Sequence, residues 1–184
     1  MTPENKQIVD STEYWLKNLI IAHQLCPFAS AAFNNDQLRY CVNNDLDTAE
    51  RLTSLMTECS LLDHSANIAT SLFICAQGLE QFEDYLDFLE LAEQLLIAQG
   101  YEGIYQLASF HPDYCFAETD PSDPANYTNR SPYPMLHLLR EASVEQAIAS
   151  HPDPEKIPDR NIALTRKLGT DKLQAILNAC SQPK

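Results

Sequence analysis

The residues best suited to chemistry crowd into one stretch, Phe110 to Arg140, FHPDYCFAETDPSDPANYTNRSPYPMLHLLR. It holds His111, Asp113, Arg130, His137 and Arg140, with Glu141 directly after. The first chemistry they suggest is metal-assisted. His111 and Asp113, two apart on an extended segment, can aim at one point, and His137 and Glu141, four apart, share a face if that part of the chain is helical. Two imidazoles and two carboxylates suit one divalent transition metal ion, Zn²⁺, Fe²⁺ or Mn²⁺, with a position left for water. The blander alternative is that His137 packs or caps locally while Glu141 pairs with Arg140 or with solvent.

A thiol offers the second chemistry. Cys26, in LCPF, becomes a catalytic nucleophile only if His111 or an arginine lies close in space, because the end of its own helix opposes a thiolate. Cys115 is the other candidate, and a buried structural cysteine is the simpler reading of both. The third is an anion pocket. Arg130 and Arg140 present planar forks that suit carboxylate or phosphate, with Tyr127, Asn129 and Ser131 as neutral donors and free backbone N–H groups at a following helix start. With His111 as acid or base and Asp113 orienting it, this set serves an enzyme acting on a small anionic metabolite. The alternative is that both arginines lock the loop onto acids and carbonyls. Arg130 stands out because the interval from Arg51 contains no other Lys or Arg, while acids recur through it. His151 repeats His-Pro-Asp but reads as a turn into a helix, with Asp153 capping and Pro154 in first position. His23 and His64 have no partner that the sequence identifies.

What is missing narrows the function. The chain has only four glycines and no GxGxxG, GxxxxGK[ST], GxSxG or HExxH, so the usual nucleotide cradles and two hydrolase motifs are excluded. Six cysteines without CxxC spacing give neither a zinc ribbon nor a thioredoxin-like motif, and read as reduced thiols. A formal net charge of −14 argues against nucleic acid and anionic membranes as partners. No window approaches about 18 unbroken apolar residues, so no membrane span is expected. The start lacks a secretion signal, which makes the cytoplasm the expected location. No pattern fixes an oligomeric state.

The elements that must position these residues follow from periodicity. Thr2 and Pro3 open a long amphipathic helix that should stop near Cys26, because Pro27 disfavours helical geometry before it. LCPFASAAFNND reads as a packed loop. QLRYCVN alternates as a half-buried strand, Asp45 or Asp47 caps a helix from about Thr48 to Leu62, and Ile68 to Ala76 is a strand buried on both faces. Leu79 to Gln99 is a helix with a wide apolar stripe, closed by Gly100, and Gly103 to Phe110 is the third strand. After the long loop, MLHLLREASVEQAIAS reads as one helix starting after Pro134. HPDPEKIPDRN is a connector, and NIALTRKLG and TDKLQAILNAC are terminal helices joined near Gly169.

Strands separated by helices of this length imply βαβ units. The expected fold is therefore α/β: a single domain over 1–184 with a small, mainly parallel sheet in a two-layer or three-layer arrangement and a helical C-terminal third. Ligands of such sheets bind beyond the carboxyl ends of the strands, which is where the long loop departs.

The strings LCPFA, FHPDYCFA, NYTNRSPYPMLHLLREASVE and IPDRNIALTRKLG resemble a bacterial domain-of-unknown-function family, number 1415, over nearly the whole chain. The resemblance brings no activity, cofactor or catalytic residue. It implies Gln at the place of Cys115 in relatives, which counts against Cys115 as ligand or nucleophile. Two functions are therefore carried forward. One is an enzyme for a small anionic molecule, with its site among the end of the third strand, the 111–131 loop, the LCPF corner and the 134–141 helix. The other is a non-catalytic interaction protein whose acidic helix, 80–99, meets a basic partner.

Overall fold

The computed structural model describes residues 1–181. Thr2 accepts from the N–H of Asn5 and Pro3 fills the first turn, so α1 runs Pro3–Trp15. It continues as a π-helical stretch, Leu16–Ile21, and the chain then turns before Cys26. The stretch expected as a packed loop contains a short helix, α2 (Ala29–Asn34).

β1 (Leu38–Asn43), α3 (Thr48–Asp63), β2 (Thr70–Cys75), α4 (Phe82–Ala98) and β3 (Tyr105–Phe110) follow where periodicity puts them. Asp47 caps α3 by accepting from the N–H groups of Ala49 and Glu50. Gly100, at φ 79°, ends α4 in a conformation that other residues adopt at a cost.

A larger departure from expectation comes after the long loop. MLHLLR is not helical: it is a strand, β4 (Met135–Arg140), and only the residues after it form α5 (Glu141–Ser150). A short apolar run cannot be assigned by period alone, and tertiary pairing decides here. β4 sits between β2 and β3 and is antiparallel to both, so the sheet order is β1-β2-β4-β3. Only β1 and β2 pair in parallel, and the sheet is therefore mostly antiparallel rather than mainly parallel. The crossover logic survives in a weaker form: β1, β2 and β3 run in the same direction, with β4 filling the gap that the α4 crossover leaves. As an inner strand β4 is covered on both faces, which explains its continuous hydrophobicity.

After α5 the chain forms α6 (Ile157–Leu168) and α7 (Thr170–Cys180), which meet at Gly169. Helices cover both faces of the sheet, in three layers. On one side Leu55, Cys59 and Leu62 of α3 and Tyr85, Phe88 and Ala92 of α4 pack with Phe73, Leu136 and Leu138. On the other, Trp15, Leu19 and Ile20, with Leu173 and Cys180 of α7, pack with Leu72, Ile74 and Met135. Among the described residues no helix is long and apolar enough to cross a membrane.

Candidate functional site

The carboxyl ends of β1, β2 and β3 share one edge of the sheet, and the 111–134 loop leaves from it. His111 is fully buried. Its Nε2 lies 2.9 Å from the Leu79 carbonyl, which can only accept, so Nε2 carries the proton. Nδ1 is then the acceptor for the N–H of Asp113 at 3.0 Å. The ring packs against Phe82 and Tyr85. Burial holds its pKa below the usual histidine value. Both ring nitrogens are committed to backbone, so His111 anchors the loop to the segment between β2 and α4 and has no nitrogen left for proton transfer. Asp113 is exposed, and its carboxylate makes no hydrogen bond among the described residues.

The loop is ordered largely by side chains on main chain. Arg130 donates from Nε to Tyr114 O (3.1 Å) and from Nη2 to Pro121 O (2.9 Å), and its guanidinium lies over the Tyr127 ring at 4.7 Å. Buried Asn126 accepts from Phe116 N–H and donates to Asp120 O. Asn129 donates to Ser109 O, Ser131 to Tyr133 O, and Tyr127 bonds Gln174 of α7. Cys115 donates to Thr119 O, within the same loop. Arg130 and Ser131 thus spend these donors inside the loop, and Tyr127 spends its hydroxyl on α7.

His137 and Glu141 are separated by the strand-to-helix change and share no helical face. Thr70 gives its only hydroxyl proton to Leu138 O (2.5 Å), so it accepts from His137 Nε2 (2.7 Å). Burial pushes the His137 pKa down to about 4. Arg140 is turned to the C-terminal end of α3, donating to Leu62 O at 2.6 Å and Ile68 O at 3.2 Å, and to the Tyr105 hydroxyl. A cation on those carbonyls also meets the negative end of the helix dipole. Among the described residues no three His, Cys, Asp or Glu side chains gather where they could hold a metal ion, and His111, Asp113, His137 and Glu141 do not form the expected set.

The structure does provide a cavity of about 410 Å³ close to where the enzyme reading placed its site. Three of the expected walls are present: Phe110 at the end of β3, the loop from Phe116 to Asn129, and the Leu25–Cys26 corner. The fourth is α6, through Ile157, Asn161, Ile162 and Arg166, and not the 134–141 segment. The corner is shaped locally. Ile20 comes from the π-helical stretch, a form often found at functional sites. Gln24 adopts φ 52°, unusual for a non-glycine residue, and its carbonyl accepts from Arg160 at 2.8 Å. Asn161 donates to Leu25 O at 2.6 Å, tying α6 to the corner.

Of the expected site residues, Cys26 and Asn129 line this cavity. Burial raises the Cys26 pKa, with the N–H groups of Phe28 and Ala29 pulling weakly the other way, so the sulfur is a thiol at neutral pH. At the mouth Arg166 makes a two-point ion pair with Asp123, Nε–Oδ1 3.1 Å and Nη2–Oδ2 2.7 Å. The wall contains no imidazole and no carboxylate. Sequence reading missed the α6 residues, although Asn161 and Thr165 sit at helical spacing among Ile157, Leu164 and Leu168. A polar pair inside an apolar stripe is the signal that pointed there.

No curated protein and no solved structure matches the chain. Residues 7–175 match the family described as "Protein of unknown function (DUF1415)", and the chain belongs to that family.

Proposed function

We propose that this chain is a cytoplasmic protein that binds a small molecule with an apolar body and one acidic group, in the cavity between the end of β3, the loop, the Leu25–Cys26 corner and α6. The observation that supports this reading is the cavity itself. About 410 Å³ lies within the range of small-molecule sites, and an apolar wall with a few convergent polar groups is their common composition. Phe110, Phe116, Ile157 and Ile162 would take the body of the ligand. Arg166 replaces Arg130 and Arg140 as the anchor for its acidic end, since it is exposed at the mouth and holds only one carboxylate.

The one group in the wall suited to covalent chemistry is the Cys26 thiol. An enzyme acting through it would need a base from the ligand or solvent, because none lines the cavity and burial keeps the sulfur protonated. Binding is accordingly the primary activity in this reading, with catalysis secondary to it. The acidic face of α4 draws on weaker support, because charges and scattered apolar side chains are ordinary on a solvated helix face.

The test is a thermal-shift screen of aliphatic and aromatic monocarboxylates against the wild type, Arg166→Ala and Ile162→Trp. A ligand present at a hundredfold excess over its Kd stabilises by about 2.7 kcal/mol, which is readily seen. The expected result is stabilisation that weakens in Arg166→Ala and disappears when the tryptophan fills the cavity. Stabilisation by no carboxylate, or stabilisation indifferent to both substitutions, overturns the reading.

A further inference from the structure

The cavity described above leaves unused the most deeply buried cation of the described chain. Arg51, in the first turn of α3, is 1% exposed. Its Nη2 donates to Asp45 O at 2.6 Å and Gln77 O at 2.9 Å, and the guanidinium lies 5.4 Å from the Phe88 ring. Among the described residues no carboxylate reaches ion-pair distance of it, and its Nε has no hydrogen-bond partner. The acids beside it are occupied elsewhere: Asp45 accepts from Ser54 and Asn43, and Glu80 from the N–H of Gly78. A buried charge without a counter-charge is costly, and an unsatisfied buried donor is uncommon enough to need a cause.

Arg51 lines a second cavity, of about 280 Å³, beyond the carboxyl ends of β1 and β2. This is where open α/β sheets place ligands. It lies on the opposite face of the sheet from the first cavity, with Leu79 and Phe88 of the α3–α4 core in its wall. Gly78 keeps it open: at φ +79°, a Cβ there would stand 3.2 Å from Arg51 Nη2 and 3.1 Å from Leu46 Cδ2. The same wall holds Asp84 and Asp87, which are exposed and form no ion pair among the described residues. Leu46, Phe88 and Leu91 supply apolar surface.

We propose that this cavity binds a small zwitterion of the α-amino-acid type. Its carboxylate meets Arg51, its ammonium meets Asp84 and Asp87, and an apolar side chain lies on Leu46, Phe88 and Leu91. A plain anion would be repelled by the two aspartates of this wall, and a plain cation by its arginine. A ligand with both charges satisfies both.

The probes are L-leucine, isocaproate, which keeps only the acid, and isoamylamine, which keeps only the amine. Binding is followed by backbone amide shifts and by calorimetry in the wild type, Arg51→Lys and the double variant Asp84→Asn, Asp87→Asn. The double variant changes exposed positions and is expected to fold normally, so the test does not depend on Arg51→Lys being stable. Expected are saturable shifts at Thr48, Gly78 and Phe88 with leucine, and an affinity at least about tenfold weaker in the double variant and for either half-molecule. The proposal is overturned if leucine gives no saturable shifts, if either half-molecule binds as tightly, if the double variant binds unchanged, or if the shifts fall at Asn129 and Asn161. That last outcome would assign leucine to the first cavity, whose own test uses other ligands and other variants.

Discussion

Two segments of this chain open with the same tripeptide, His-Pro-Asp, at His111 and at His151. In both, the histidine Nδ1 accepts from the N–H of the aspartate two residues on, at 3.0 Å and 3.2 Å. Beyond that shared turn they diverge. His111 is fully buried, its Nε2 donates to Leu79 O, and the loop after it is bound to itself by Arg130 and Asn126 and to α1 by a bond from Trp15 Nε1 to Arg130 O. His151 is partly exposed, with its ring T-shaped to Phe28 at 6.2 Å, and the connector after it is held by an exposed Lys156–Asp153 pair. The local motif supplies a turn in both places. The partner of the second ring nitrogen decides whether that turn anchors a segment to the core.

The largest expected difference is in stability. His111→Ala leaves the Leu79 carbonyl and the Asp113 N–H without partners and a void beside Phe82 and Tyr85, a cost of about 3 kcal/mol. His151→Ala should stay within about 0.5 kcal/mol. Equal losses in chemical denaturation would break the comparison.

A smaller effect is expected from Arg130→Ala, about 1–2 kcal/mol, because two carbonyls lose a charged donor at a partly exposed site. Hydrogen exchange should quicken at the Phe116 and Asn126 amides and stay unchanged along the sheet. Uniform acceleration would instead mean that the loop and the sheet open as one unit.

The smallest effect is on pH dependence. In the unfolded chain a histidine titrates near 6.5, whereas the fold holds His111 lower and His137 down to about 4, both by burial. A depressed folded value means that the stability tied to the neutral ring is complete above about 6.5. It is lost as pH falls through the folded values. The melting temperature should therefore drop between about pH 6.5 and 4, and less steeply in His111→Gln and in His137→Asn. Slopes equal to that of the wild type would show that neither ring is held neutral by the fold.

Much of the architecture was legible in the residues. Caps at Thr2 and Asp47, the stripe of α4, the stop at Gly100 and three of the four strands follow from local chemistry, which a single segment carries with it. That a cavity lies near the end of the third strand follows in the same way, because crossovers place loops at the carboxyl edge. β4 was not legible, since MLHLLR satisfies a helix or an inner strand equally until β2 and β3 leave a gap between them.

The roles of individual side chains were the least legible. His111, Arg130 and Arg140 are types that do chemistry, yet each spends its donors on main-chain carbonyls that come near only after folding. Arg51 sits at helical spacing with Leu55, Glu58 and Leu62, and was hidden among the residues of an apolar stripe. The sequence by itself determined which segments become helices and strands, apart from β4, the short α2 and the first turn of α6, because those choices depend on periodicity and capping within a dozen residues. Only the tertiary structure decided which polar groups are satisfied internally and which face a cavity, because each partner is a carbonyl or carboxylate supplied by a distant part of the chain.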